Sequence, residues 1–235
     1  MNRPVMTIGF DADDTLWHNE RFFQDTQTRF TEMLRDHADP ADLDSRLLAA
    51  ERRNIGHYGY GVKGFTLSMI ETAIEVTDGR VPGETIAGLL AMGRDMLDHP
   101  MELLPHAREA VEWAAGSHRV VLITKGDLLH QERKLAQSGL GDLFDAVEIV
   151  SEKDASTYTR IFGAAHGGTE AAVMVGNSLK SDIVPAIEAG SRAVHIPHDV
   201  TWDLEHAEEP HSPRFYKIAD LGALQGVITN IGDGG

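Results

Sequence analysis

Three carboxylates fall within four residues near the start of the chain, in Asp11-Ala12-Asp13-Asp14-Thr15. They follow directly on Val5–Phe10, a short apolar and β-branched run that reads as a buried strand. Like charges packed this closely repel, so something must offset them. In an extended chain residues 11 and 13 point to one side, which puts two carboxylates together at the carboxyl end of a strand. A pair of that kind suits a hard cation such as Mg2+, which prefers oxygen ligands. It equally suits a nucleophile beside a proton donor. The plainer alternative is an acidic turn that caps the next helix, since Asp and Thr are good N-cap residues.

Three more strand ends carry polar groups of complementary kind. Arg119–Thr124 runs into Thr124-Lys125-Gly126-Asp127, where a hydroxyl and a glycine turn at a helix start offer an anion seat. Ala146–Ser151 leads to Glu152-Lys153, and a lysine there can neutralise both a substrate oxyanion and a carboxylate. Ala171–Val175 runs into Gly176-Asn177-Ser178-Leu179-Lys180-Ser181-Asp182, a turn with oxygen ligands that could complete a cation site. Each has a bland reading too: a solvated lysine, or a helix capped by Asn177 or Ser178. Open α/β sheets bind ligands at the carboxyl edge of their strands, so four such ends weigh more than any one.

The elements that must hold these residues are legible around them. With Arg192–Ile196 there are five near-continuous apolar segments, the pattern of strands buried on both faces of a parallel sheet. From residue 105 they alternate with helical patterns over Pro105–Ala115, Leu128–Ser138, Thr157–His166 and Leu179–Ala189. That order predicts an α/β fold with right-handed crossovers and a doubly wound parallel sheet. Between the first two strands the pattern is helical throughout, over Asn19–His37, Pro40–Asn54, Phe65–Thr77 and Gly83–Leu97. Phe65, Met69, Ala73 and Val76 form one apolar stripe of the third. The expectation is a core of residues 1–17 and 103–235 with an all-helical insertion over 18–102. The glycine-rich end, Asn230–Gly235, reads as frayed.

Composition removes other classes. The 235 residues include no cysteine, which excludes disulfide scaffolds, thiolate nucleophiles, Fe–S clusters and cysteine-bound zinc. A formal net charge of −16 repels polyanions and argues against a nucleic-acid or anionic-membrane partner. The longest apolar stretch, Ile86–Gly93, falls far short of the roughly 20 residues of a membrane span. The first residues, MNRPVMTIGFDADD, have too short an apolar region for a signal peptide, so a soluble, cytoplasmic protein is expected.

The four strand ends, taken in order, resemble those of the haloacid dehalogenase-type hydrolases. DADDT is similar to that family's DxDxT motif, and VVLIT with its following Lys-Gly resembles the second motif. Lys153 fits the third, VGNSLKSD resembles the fourth, and the helical insertion resembles the first-position cap. The tail IPHDVTWDLEH is similar, more weakly, to a branch of small phosphatase-like members. The resemblance implies a Rossmann-like core and a phosphomonoester hydrolase acting on a small phosphorylated metabolite, as a monomer or a homodimer. It implies that Asp11 attacks phosphorus, and that Asp13 protonates the leaving oxygen and later deprotonates water. Thr124, Lys125 and Gly126 would bind the phosphoryl oxygens, and Lys153 would offset charge. Mg2+ would be held by Asp11, the Asp13 carbonyl, Asn177 and Asp182. The cation is needed because two unit charges at about 4 Å repel by roughly 4 kcal/mol at an effective dielectric near 20. Asn177 departs from the family's usual aspartate, so a weaker cation site is expected.

Some features invite other readings. Gly59-Tyr-Gly-Val-Lys-Gly64 matches GxGxxG, but a dinucleotide fingerprint must follow a strand, and Arg52–His57 is too polar for one. A flexible cap loop is expected instead, with Tyr58, Tyr60 and Lys63 as candidates to touch the leaving group. Of the 12 histidines, His195, His198, His206 and His211 lack tight ligand spacing and read as core or surface residues. Dehalogenases with this resemblance attack carbon, need no metal and lack the second aspartate, so Asp13 speaks against that activity. A phospho-accepting signalling domain would have about half this length and no cap. An inactive binding protein that keeps the motifs is the remaining alternative.

Overall fold

The computed structural model describes residues 6–200 and 202–232. Val5 and the other first five residues lie outside them, as do residues 233–235 of the end expected to fray; residues 230–232 of that end are instead the last of a helix, Leu224–Gly232. The described residues form two compact units. One runs to His18 and resumes over Met101–Lys125 and from Gln131; the other comprises Asn19–Pro100 and Gly126–His130.

The first unit is built on β1 (Thr7–Phe10), β2 (Arg119–Lys125), β3 (Ala146–Val150), β4 (Ala172–Gly176), β5 (Arg192–His195) and β6 (Phe215–Lys217). All pair in parallel, in the order β3-β2-β1-β4-β5-β6. The family of apolar runs follows from burial on both faces. Ile8, Phe10, Val120, Leu122, Val173 and Val194 pack on α5 (Ala107–Ala115) and α9 (Leu224–Gly232). Val121, Ile123, Met174 and Ala193 pack on α7 (Ala155–Gly163) and α8 (Val184–Glu188). Each large aliphatic side chain so buried contributes about 1.5–3 kcal/mol. Gly9 lies under the ring of Phe162: a β-carbon there would stand 2.8 Å from Phe162 Cζ.

The second unit contains α1 (Glu20–Leu34), α2 (Pro40–Tyr58), α3 (Val62–Val76) and α4 (Gly83–Asp98), around Phe30, Leu43, Leu47, Phe65, Met69 and Leu89. Asp39 caps α2 by accepting from Ala41 N at 3.0 Å, with Pro40 at its first position. The remaining helix, α6 (Leu128–Ser138), has its first residues in this unit and its rest in the other. No helix among the described residues is long and apolar enough to cross a membrane.

Three expectations need correction. α2 runs on to Tyr58, and α3 starts at Val62, so Lys63 and Gly64 are helical and the loop is only Gly59–Gly61. Its glycines sit at φ 74° and 106°, the left-handed region that glycine tolerates. Gly64 is a packing position: a β-carbon would come 2.7 Å from Gly59 O. Second, the sheet has a sixth strand, β6. Third, the helix expected at Leu179 opens with a π-helical turn, Leu179–Ile183, before α8.

Candidate active site

The chain leaves β1 and coils back on itself, with Thr15, Leu16 and Trp17 N–H groups all directed at Ala12 O. Asp11 and Asp13 therefore sit in two different surroundings instead of side by side on an extended segment. Asp11 N donates to Val175 O at 2.9 Å, which fixes it between β1 and β4.

Around Asp11 three strand ends meet. Lys153, 5% exposed, reaches Asp11 Oδ1 in a close ion pair and Asp182 Oδ1 at 2.7 Å. Thr15 Oγ1 lies 2.9 Å from Asp11 Oδ2 and 3.2 Å from Asn177 Oδ1, and it accepts Asn177 N at 3.0 Å. Asp182 Oδ2 accepts Ser178 N at 3.0 Å. The carboxylate rests against the backbone of Gly176, where a β-carbon would fall 2.3 Å from Asp182 Oδ2. Burial pushes the Asp11 carboxyl up to about 7, and Asp182 adds to the rise against the pull of Lys153. Burial disfavours the Lys153 charge, but Asp11 and Asp182 outweigh it and raise its proton affinity. Beside the burial, two buried carboxylates face one ammonium.

That deficit of positive charge is what a divalent cation would fill. The available donors are Asp11, Asp182, the Asn177 carboxamide oxygen and the Asp13 carbonyl. Among the described residues no three His, Cys, Asp or Glu side chains gather as a ready-made cage. Two carboxylates plus neutral oxygens suit Mg2+, which keeps several waters.

Around Asp13 the chemistry differs. Its carboxylate accepts from Trp17 Nε1 at 2.6 Å, Lys134 Nζ at 2.6 Å and Gln131 Nε2 at 2.9 Å. Burial alone would raise its proton affinity; Lys134, Gln131 and Trp17 together outweigh burial and lower it. Gln131 also donates to Thr124 Oγ1 at 2.9 Å and to Lys125 O at 2.6 Å, tying the seat on β2 to the acidic turn.

The other expected residues fall as follows. Gly126 takes φ 130°, and Lys125 turns its ammonium onto Glu205 and Ser181, both at 2.8 Å, and Glu152 at 3.4 Å. Within the second unit, Lys63 Nζ pairs with Asp127 Oδ2 at 2.7 Å, Tyr58 is exposed and Tyr60 is half-buried. His195 is buried and bonds Asn177 O at 2.9 Å through Nε2; burial lowers its proton affinity. His198 lies 3.7 Å from Asp14, while His206 and His211 are exposed.

Ser178 caps the turn that follows it, accepting Ser181 N, as its plainer reading has it; Gln131, Lys134, Trp17 and Glu205 are not singled out by the sequence. One signal was present for two of them: on the inward stripe of α6 the buried residues are Gln131, Lys134 and Ser138, polar where apolar residues belong.

A family model described as haloacid dehalogenase-like hydrolase matches residues 5–190. A glyceraldehyde 3-phosphate phosphatase from Pyrococcus furiosus is 24% identical, over 96% of this chain and 94% of its own. A haloacid dehalogenase-like family hydrolase from Xanthomonas campestris is 40% identical, with TM-score 0.88 over 98% of this chain and 93% of its own. A hydrolase from Bacillus subtilis, solved bound to magnesium, is 15% identical, with TM-score 0.65 over 96% and 99%. Dehalogenases also share the fold.

Proposed function

The chain belongs to the haloacid dehalogenase-like hydrolases, and from that premise we propose that it is a Mg2+-dependent phosphatase of a small phosphate monoester. One observation carries the reading. Asp11 is held by Lys153 and Thr15 at the end of the central strand, while a second carboxylate, Asp13, stands two residues on in its own cage of donors. A carboxylate nucleophile with an acid–base partner is what transfer of a phosphoryl group through a covalent aspartyl ester requires.

In this reading an Asp11 carboxylate oxygen attacks phosphorus and the bond to the leaving oxygen breaks. Thr124, on β2, binds phosphoryl oxygens, and Lys153 offsets the charge they bring beside Asp11. Asp13 hands a proton to the leaving oxygen, then takes one from the water that hydrolyses the aspartyl-phosphate. Donation asks that Asp13 loosen from Lys134 and become protonated, an exchange for substrate binding to drive. The cation, held by Asp11, the Asp13 carbonyl, Asn177 and Asp182, would supply charge shielding between two anions. The curated relative's phosphatase activity and the magnesium in the B. subtilis structure support the reading.

Carbon–halogen cleavage is the second reading, favoured by dehalogenases of the same fold. It leaves Asp13 and its three donors without a task. The test is a panel of phosphate monoesters, beginning with glyceraldehyde 3-phosphate, with and without Mg2+, beside Asp11→Asn. Phosphate release should need Mg2+ and fall by roughly 10^3-fold or more in the variant. Chloride release from a 2-haloacid, with no phosphatase activity, would overturn the assignment.

A further inference from the structure

Glu205 lies in a short turn, Asp203–Glu205, beyond the residues that the family model matches. Its side chain is 16% exposed, and burying a carboxylate is costly unless it is fully hydrogen-bonded. Here every bond is matched. Glu205 Oε2 accepts the hydroxyls of Ser178 and Ser181, and Oε1 accepts Lys125 Nζ at 2.8 Å. Ser178 Oγ in turn accepts Ser181 N at 3.0 Å, and Ser181 Oγ accepts Lys125 Nζ at 2.8 Å. A second tether runs from Lys180 Nζ to Leu204 O at 2.7 Å.

This network closes over the π-helical turn Leu179–Ile183, where Asp182 N and Ile183 N share Ser178 O at 2.9 and 3.2 Å. A π turn is a rare backbone form that is frequent at functional sites. Asn177 stands two residues before it and Asp182 lies within it, so the shape of this turn sets where the Asp182 carboxylate meets Lys153. We infer that Glu205 is a positioning residue: with Lys125 it clamps the 177–183 turn in the shape that presents Asn177 and Asp182 to the cation. Lys125 belongs to this clamp and makes no phosphoryl contact. The inference rests on the cation site of the proposed function.

Titration of the full chain with Mn2+, read by the electron paramagnetic resonance of the free ion, tests it without reference to turnover. Glu205→Gln keeps the size of the side chain and removes its charge. It should weaken Mn2+ binding by roughly 10–100-fold, the usual effect of losing a partner that orients ligands. Lys125→Met should match it, and the double variant should be no worse than either alone. Glu205→Asp should recover part of the loss. Circular dichroism checks each fold; should Glu205→Gln not fold, Ser178→Ala removes one strut and should show a smaller loss of the same kind. Parent-like Mn2+ binding by folded Glu205→Gln overturns the inference. So does a raised KM with unchanged Mn2+ binding in Lys125→Met, which would make that lysine a substrate contact. A parent chain that binds no Mn2+ overturns the cation reading itself, and the clamp with it.

Discussion

Asp11 and Asp13 are two residues apart, and their surroundings push them in opposite directions. Asp11 shares one lysine with Asp182, and burial raises its proton affinity to about 7. Asp13 has Lys134 together with Gln131 and Trp17, which outweigh burial and keep it ionised. Each carboxylate has one lysine beside it, so what separates the two is burial together with the balance of neighbouring carboxylates and neutral donors around each. The first site has one positive charge for two carboxylates, which on the proposed reading is the place of a nucleophile that works with a metal. The second is complete, as befits a group that must return to its ionised form after each proton transfer.

Replacing Asp13 by Asn should break the contrast most severely. It should reduce kcat by roughly 10^2–10^4-fold, the usual worth of a general acid–base group, while Mn2+ binding holds, because the backbone carbonyl at 13 remains. Unchanged kcat would mean that Asp13 carries no proton. Lys134→Met should lower kcat about tenfold, equivalent to one charge-assisted hydrogen bond of about 1.4 kcal/mol. In the Asp13→Asn background it should cost nothing more; an additive loss would show that Lys134 acts elsewhere.

Asn177→Asp sharpens the other side of the comparison. It adds a charge to the deficient site and should tighten Mn2+ binding by about tenfold, or 1.4 kcal/mol. Unchanged affinity would place residue 177 outside the metal's ligands. The smallest effect concerns pH. Lys125 and the two serines outweigh burial and hold the Glu205 carboxyl below its ordinary 4.5. Because the folded value is the lower one, the ionised clamp stabilises the protein above 4.5 and loses that contribution as pH falls through the folded value. The Tm gap between parent and Glu205→Gln should be a few degrees near neutrality and close as pH falls well below 4.5. A gap that persists at low pH would show that charge is not what Glu205 contributes.

The strand-end residues were readable because buried parallel strands leave long apolar runs, and polar groups at their ends stand out. Asp11, Lys153 and Asp182 come together at the expected edge for that reason. β6 left no such signal: Phe215–Lys217 is three residues long and partly exposed. α9 hid behind Gly226 and the β-branched Val227, Ile228 and Thr229, poor helix formers that tertiary packing overrides. The π turn is invisible to a search at 3.6-residue spacing. Glu205 joins the clamp through partners far from it in sequence, which no local pattern records. Lys134 was legible in principle, as a charge on the buried stripe of α6, once burial is weighed by residue and not by helix.

β1 has one further consequence. It lies at the middle of the sheet, yet its register partners are Thr7↔Arg119 on one side and Thr7↔Ala172 on the other. During synthesis one edge of the opening strand can pair with β2 once Lys125 has left the ribosome, but its other edge waits for Gly176. Asp11, Lys153 and Asp182 therefore come together only after most of the chain has been made, and the cluster is a late product of long-range pairing.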